Sequence, residues 1–123
     1  MTTDKPARTA IFPCSGGSNC GQIANEVGIK LTEMKLGNMG CLGGIGAHDE
    51  KMIGGAKTAD RVLAIDGCAV ACAKKTLEHA GISVTRWVDV TDYGIKKTPN
   101  KFEVKQEEIE IVLDKTIEKL FWI

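Results

Sequence analysis

Arg61-Val62-Leu63-Ala64-Ile65 is the clearest strand in the chain, an apolar run that ends at the turn Asp66-Gly67 and at Cys68. A short continuous apolar run closed by turn residues reads as a strand buried on both faces, which is how parallel sheets are built. Working outward, Ala69 to Ala80 reads as a helix with Val70, Ala73 and Leu77 on one side and Gly81 as its stop. Ser83 to Val90 reads as a further strand, and Glu107 to Phe121 as an amphipathic helix with Ile109, Val112, Leu113, Ile117, Leu120 and Phe121 on its apolar stripe. Thr91 to Lys105, with Tyr93-Gly94 and Pro99-Asn100 as turn signals, reads as loop.

On the N-terminal side, Ala10-Ile11-Phe12 reads as a short strand ending near Pro13. Gly21 to Leu36 reads as a helix, because Ile23, Val27, Leu31 and Met34 recur at helical spacing before the stop Gly37-Asn38. Met39 to Leu42 is a weak strand, and Gly43-Gly44-Ile45-Gly46 reads as loop. A helix is expected from about Asp49 to Ala59; Gly54-Gly55 weakens it by about 1 kcal/mol per glycine relative to alanine, unless the pair serves close packing on the sheet. Alternating strands and helices predict an α/β fold: one Rossmann-like domain over residues 1–123, a mostly parallel open sheet of about four strands with helices on both faces. Strand order 2-1-3-4 places a topological switch point between the first and third strands.

The 123 residues suit one core, and 16 basic residues balance 16 acidic ones. That balance offers no footing for nucleic acid or a membrane surface. The pairs Lys74-Lys75 and Lys96-Lys97 read as solvated faces. The first ten residues carry Asp4, Lys5 and Arg8 without an apolar targeting run, and no stretch has the length of a membrane span, so a cytoplasmic location is expected. The apolar end Leu120-Phe121-Trp122-Ile123 is expected to pack on the domain, the alternative being a dimer contact.

Function concentrates in the five cysteines. Cys14, Cys41 and Cys68 each fall where an expected strand ends, Cys41 after the short segment Asn38-Met39-Gly40, and ligands of open α/β sheets bind at strand carboxyl ends. Cys72 stands four residues after Cys68, which puts both on one helix face if both are helical. In a reducing compartment, cysteines serve metals or chemistry more often than structural disulfides. Four thiolates suit a tetrahedral Zn²⁺ site, and an Fe–S cluster uses the same donors. Small buried hydrophobic cysteines are the plain alternative.

Cys14-Ser15-Gly16-Gly17-Ser18-Asn19-Cys20 is a Gly/Ser-rich turn with Ser18 or Asn19 as helix cap. Its spacing is similar to that of the thiol phosphatase and arsenate reductase loop, but Cys20 stands where the anion-binding arginine belongs. His48 is read as a surface residue before a helix, with a ligand role as the alternative, and His79 as a residue near a helix C-terminus. Asp66 either orients a ligand from behind or supports the turn at Gly67.

Asp66-Gly67-Cys68, with Cys14-Ser15-Gly16-Gly17-Ser18, Gly21-Gln22-Ile23-Ala24, Cys41-Leu42-Gly43-Gly44-Ile45-Gly46-Ala47-His48 and the segment Cys72 to Gly81, resembles the DGC-domain family. The resemblance implies zinc binding, and by motif position it implies Cys14, Cys41, Cys68 and Cys72 as ligands. Ala69 stands where the family has a proline, and Cys20 is an addition. The rival expectation is a thiol-dependent redox or sulfur-handling enzyme, in which Cys14 is the nucleophile and Cys20, Cys41 or Cys72 resolves the intermediate as a disulfide. A third is an interaction module that a metal merely stabilises.

Overall fold

A computed structural model describes residues 7–121; Trp122 and Ile123, expected to pack on the domain, lie outside the described residues. Four strands form one all-parallel sheet in the order β2-β1-β3-β4: β1 Thr9–Pro13, β2 Asn38–Met39, β3 Arg61–Asp66 and β4 Arg86–Asp89. The helices are α1 Asn19–Glu33, α2 Leu42–Gly46, α3 Glu50–Lys57, α4 Cys72–His79 and α5 Gln106–Phe121, with a 3₁₀ turn at Val90–Tyr93.

Alternation along the strands divides the core. Ile11, Leu63, Ile65 and Val88 face α1 and α5, meeting Ile23, Val27, Leu31, Ile109, Val112 and Leu120. Phe12, Val62 and Ala64 face the other way, against Ile45, Ala56, Ala73 and Leu77 of α2, α3 and α4. Both faces of the sheet are therefore covered, as a parallel sheet requires. The chain leaves β1 toward β2 on one side, and β3 lies on the other, so the switch point falls beside Cys14.

Several expectations are corrected: the strand expected over Met39 to Leu42 is Asn38–Met39, with Leu42 opening α2, and that expected over Ser83 to Val90 is only Arg86–Asp89, with Val90 starting the 3₁₀ turn. Residues 42–46 form a helix despite three glycines, because Ile45 is fully buried and the Ile45 N–H donates to the Cys41 carbonyl (3.2 Å); tertiary burial outweighs propensity here. Gly54 and Gly55 serve no close packing, since a Cβ at either would meet open space. Helix α4 starts at Cys72, three residues late, and Val70 is exposed instead of lying on its apolar side. Phe121, placed on the apolar stripe of α5, is 46% exposed, with the Arg61 guanidinium 5.1 Å from its ring centre. No helix among the described residues is long and apolar enough to cross a membrane.

Candidate functional site

Cys14 follows β1 directly. Its N–H donates to the Ile65 carbonyl (2.9 Å), extending the β1–β3 ladder by one residue. The chain then turns through Ser15, at φ +52°, to Ser18, whose side-chain oxygen accepts from the Gly21 N–H (3.0 Å) and caps α1. Of the two cap candidates, Ser18 is the one used. The Gly67 N–H reaches across from the end of β3 and donates to Cys14 Sγ (3.3 Å). Gly67 can approach this closely because it lacks a Cβ; one added there would stand 2.7 Å from the Gly21 nitrogen and 2.9 Å from the Cys20 carbonyl carbon.

The segment between β3 and α4 is set by Asp66, which is 1% exposed. Its carboxylate accepts from the Ala73 N–H (2.7 Å), the Lys74 N–H (3.1 Å) and the Trp87 indole Nε1–H (2.9 Å). The carboxylate captures the first free amides of α4, which therefore begins only at Cys72, while Ala71 takes a left-handed conformation at φ +60°. Cys68 lies in the preceding turn, so the expected pairing of Cys68 and Cys72 on one helix face does not form. Asp66 does more than support the turn at Gly67: it fixes the helix start on which Cys72 sits.

Two hollows meet at Cys14. One, of about 310 Å³, is lined by Cys14, Cys68 and Cys72, with Asp66, Lys97 and Pro99. The other, of about 490 Å³, is lined by Cys14 and Cys41, with Met39, Leu42, Gly46 and Thr76. Topology thus places Cys41 on one side of Cys14 and Cys68 and Cys72 on the other, in two hollows at one end of the sheet. All five cysteines are free, and among the described residues no three His, Cys, Asp or Glu side chains are gathered closely enough to hold a metal ion. Burial pushes the Cys14 thiol up from its ordinary pKa, while backbone hydrogen bonds from Gly16 and Gly67 pull against it.

Cys20 stands apart. It is fully buried under α1, with Sγ 3.9 Å from the Ile95 carbonyl, and lines neither hollow. Burial first, with Glu108 and Asp89 adding to it, pushes its pKa up to about 11. Because the folded pKa lies above the unfolded value near 9.0, the unfolded chain releases this proton first as pH rises. Stability from this group is intact below about pH 9 and is lost toward pH 11, on the order of 2–3 kcal/mol. Denaturant midpoints followed across that interval should fall, and should fall less in Cys20→Ala.

The structure adds residues that the sequence reading passed over. A strap from Ile95 to Asn100 crosses the Cys14–Ser18 loop. Asn19 clamps it from both amide ends, accepting from the Thr98 N–H (2.7 Å) and donating to the Lys96 carbonyl (2.9 Å). Ser18 bridges Pro99, and the Asn100 N–H donates to the Gly17 carbonyl (3.0 Å). The strap places Lys97 Nζ 3.4 Å from Cys68 Sγ. The pair Lys96-Lys97, expected to be merely solvated, thus has one member at the site, and Lys74 of the other pair lies over the Trp87 ring (5.0 Å to its centre). These partners are 29 and 13 residues apart in sequence, with no local pattern to betray them. His48 and His79 line a third hollow, to which no cysteine contributes.

A doubly covered parallel sheet with thiols ringed about its switch point defines the class. The chain belongs to the DGC domain family, whose model matches residues 10–116. It is similar to the anaerobic and virulence modulator AnvM of Pseudomonas aeruginosa strain PAO1, 31% identical over 87 residues that cover 71% of this chain. The matched stretch covers 66% of that protein's length. No solved structure matches the chain.

Proposed function

We propose that the protein binds a soft metal ion, Zn²⁺ foremost, through Cys14, Cys41, Cys68 and Cys72. The observation that carries this reading is the position of Cys14, on the shared wall of two hollows that the other three thiols line. The donor set fits by chemistry. Soft sulfur donors select Zn²⁺ or Cu(I) over hard cations, and the two buried carboxylates nearby are already committed, Asp66 to α4 and Trp87 and Asp89 to Thr91. Lys97 places its positive charge 3.4 Å from Cys68 Sγ. The thiols are arranged around Cys14 but not drawn into one coordination sphere. Binding under this reading draws the half-buried Cys68 and the exposed Cys41 and Cys72 in toward Cys14.

The rival reading, a Cys14 nucleophile resolved by Cys20, Cys41 or Cys72, has less support, although Cys41 and Cys72 line the same hollows as Cys14. Burial lifts the Cys14 thiol instead of activating it, and Cys20 points away into the core.

Anaerobic, reduced protein loaded with Zn²⁺ should retain one equivalent through desalting. Four of its five thiols should then be masked from a thiol reagent until a chelator is added, Cys20 being protected by burial in either state. Cys14→Ser should weaken retention by more than the roughly 10–100-fold that loss of an outer-shell partner costs. Protein that retains no Zn²⁺ and keeps Cys14, Cys41, Cys68 and Cys72 equally reactive would refute the metal reading. A Cys14 that alkylates fast at neutral pH without metal, and forms a disulfide on turnover, would favour the enzyme.

A further inference from the structure

The third hollow, about 390 Å³, lies on the α2–α4 side of the sheet and is lined by Ile45, Gly46, His48, Lys75, Thr76 and His79. His48 follows α2, and His79 belongs to the last turn of α4. Their ring centroids are 6.0 Å apart, with the planes inclined by 56°. The backbone beneath His48 is fixed. Its φ is +61°, its N–H donates to the Ile45 carbonyl (3.0 Å), and the next N–H, of Asp49, donates to the Gly44 carbonyl (3.0 Å). Asp49 in turn caps α3 through the Met52 N–H (3.0 Å). The imidazole therefore projects from a rigid base toward a partner on a second packed helix.

Two imidazoles bound to one ion at about 2.0–2.1 Å per nitrogen have ring centres about 5–6 Å apart. The observed separation is at the far end of that span, within a small rotation of either exposed ring. We propose that His48 and His79 form a second metal site, a two-imidazole clamp for a borderline divalent ion such as Zn²⁺, Ni²⁺ or Cu²⁺. No third His, Cys, Asp or Glu joins the pair among the described residues, so water completes the coordination. Lys75 shares the hollow and opposes a cation there until its flexible chain swings outward. The site is accordingly weaker than a thiolate site, and it stands whether or not the cysteines bind metal. Its hollow shares Gly46 and Thr76 with the Cys14–Cys41 hollow, so an ion held by the clamp sits on that rim.

The chain contains two histidines, which makes the test direct. Zn²⁺ is titrated into the full, untagged, reduced chain while the imidazole resonances are followed by NMR. Both rings should shift together with one midpoint. His48→Asn, chosen because asparagine tolerates a left-handed backbone, should move the His79 midpoint to about a hundredfold higher Zn²⁺ or more, since a two-armed chelate loses its effective concentration with either arm. His79→Gln should do the same to His48. Rings that stay put, or a His79 response unchanged in His48→Asn, would overturn the clamp. Thiol reactivity in the same samples reports on the cysteines separately, so failure of one site is not mistaken for failure of the other.

Discussion

Replacing Asp66 with alanine is expected to destabilise the protein by about 3–5 kcal/mol, the largest effect of any single polar substitution here. The carboxylate is buried and serves three donors from two elements: the first amides of α4 and the indole of Trp87 on β4. Alanine leaves all three donors without their charged acceptor; the Ala73 N–H is buried and carries a desolvation penalty, while the half-buried Lys74 N–H and Trp87 indole each lose a charge-assisted bond. Asparagine keeps one acceptor oxygen but turns an amide N–H₂ toward donors, so Asp66→Asn should recover only part of the loss. Denaturant unfolding monitored at Trp87 measures both. A loss in Asp66→Ala no larger than that of an exposed substitution would show that water or a shifted helix replaces the carboxylate. Cys72 leads off the helix that Asp66 anchors, so the same variant should loosen the thiol end of the sheet, read as faster alkylation of Cys14.

The second large effect is steric. Gly67→Ala should cost about 3 kcal/mol, at the upper end of ordinary overpacking, because its methyl meets backbone and not a yielding side chain. The atoms it strikes are the Gly21 nitrogen and the Cys20 carbonyl carbon, both in the first turn of α1. Gly21→Ala strikes the Gly16 peptide, whose nitrogen and carbon would each be 2.6 Å from the new methyl. Both substitutions strain the first turn of α1, Gly67→Ala against the turn that follows β3 and Gly21→Ala against the Cys14 loop. Once one has displaced that first turn, the second meets less resistance, so the double variant should cost clearly less than the sum of the singles. Gly67→Ala also withdraws the N–H that faces Cys14 Sγ, which should raise that thiol's pKa and slow its alkylation at neutral pH. Additive losses with unchanged Cys14 reactivity would mean that the two substitutions do not act on one turn.

The sheet was legible in the sequence because its signals are local. Val62, Leu63, Ala64 and Ile65 are buried on both faces, and strand-helix alternation leaves few topologies open, so the order 2-1-3-4 and the place of Cys14 follow. Helix α2 was not legible, since its glycines argue for a loop and only the burial of Ile45 under the sheet reverses them. The start of α4 was misread for a related reason. Val70 has the right spacing for an apolar helix face, but Asp66 captures the Ala73 and Lys74 amides through space. Cys14, Cys41, Cys68 and Cys72 line two hollows that meet at Cys14 without forming one cluster, and Lys97 and Asn19 enter the site through contacts between residues 29 and 79 positions apart.

The strap over the Cys14 loop is fastened at Lys96, Thr98 and Asn100 by their main-chain groups, with Asn19 the one side chain that both gives and receives. Ile95 anchors the strap in the core and Asn100 takes a left-handed conformation, but between them the fastening at 96 and 98 is main-chain and does not involve the side chain at 97. Position 97 thus becomes a dial: whatever stands there sets the sign of the charge opposite Cys68 without redrawing the backbone.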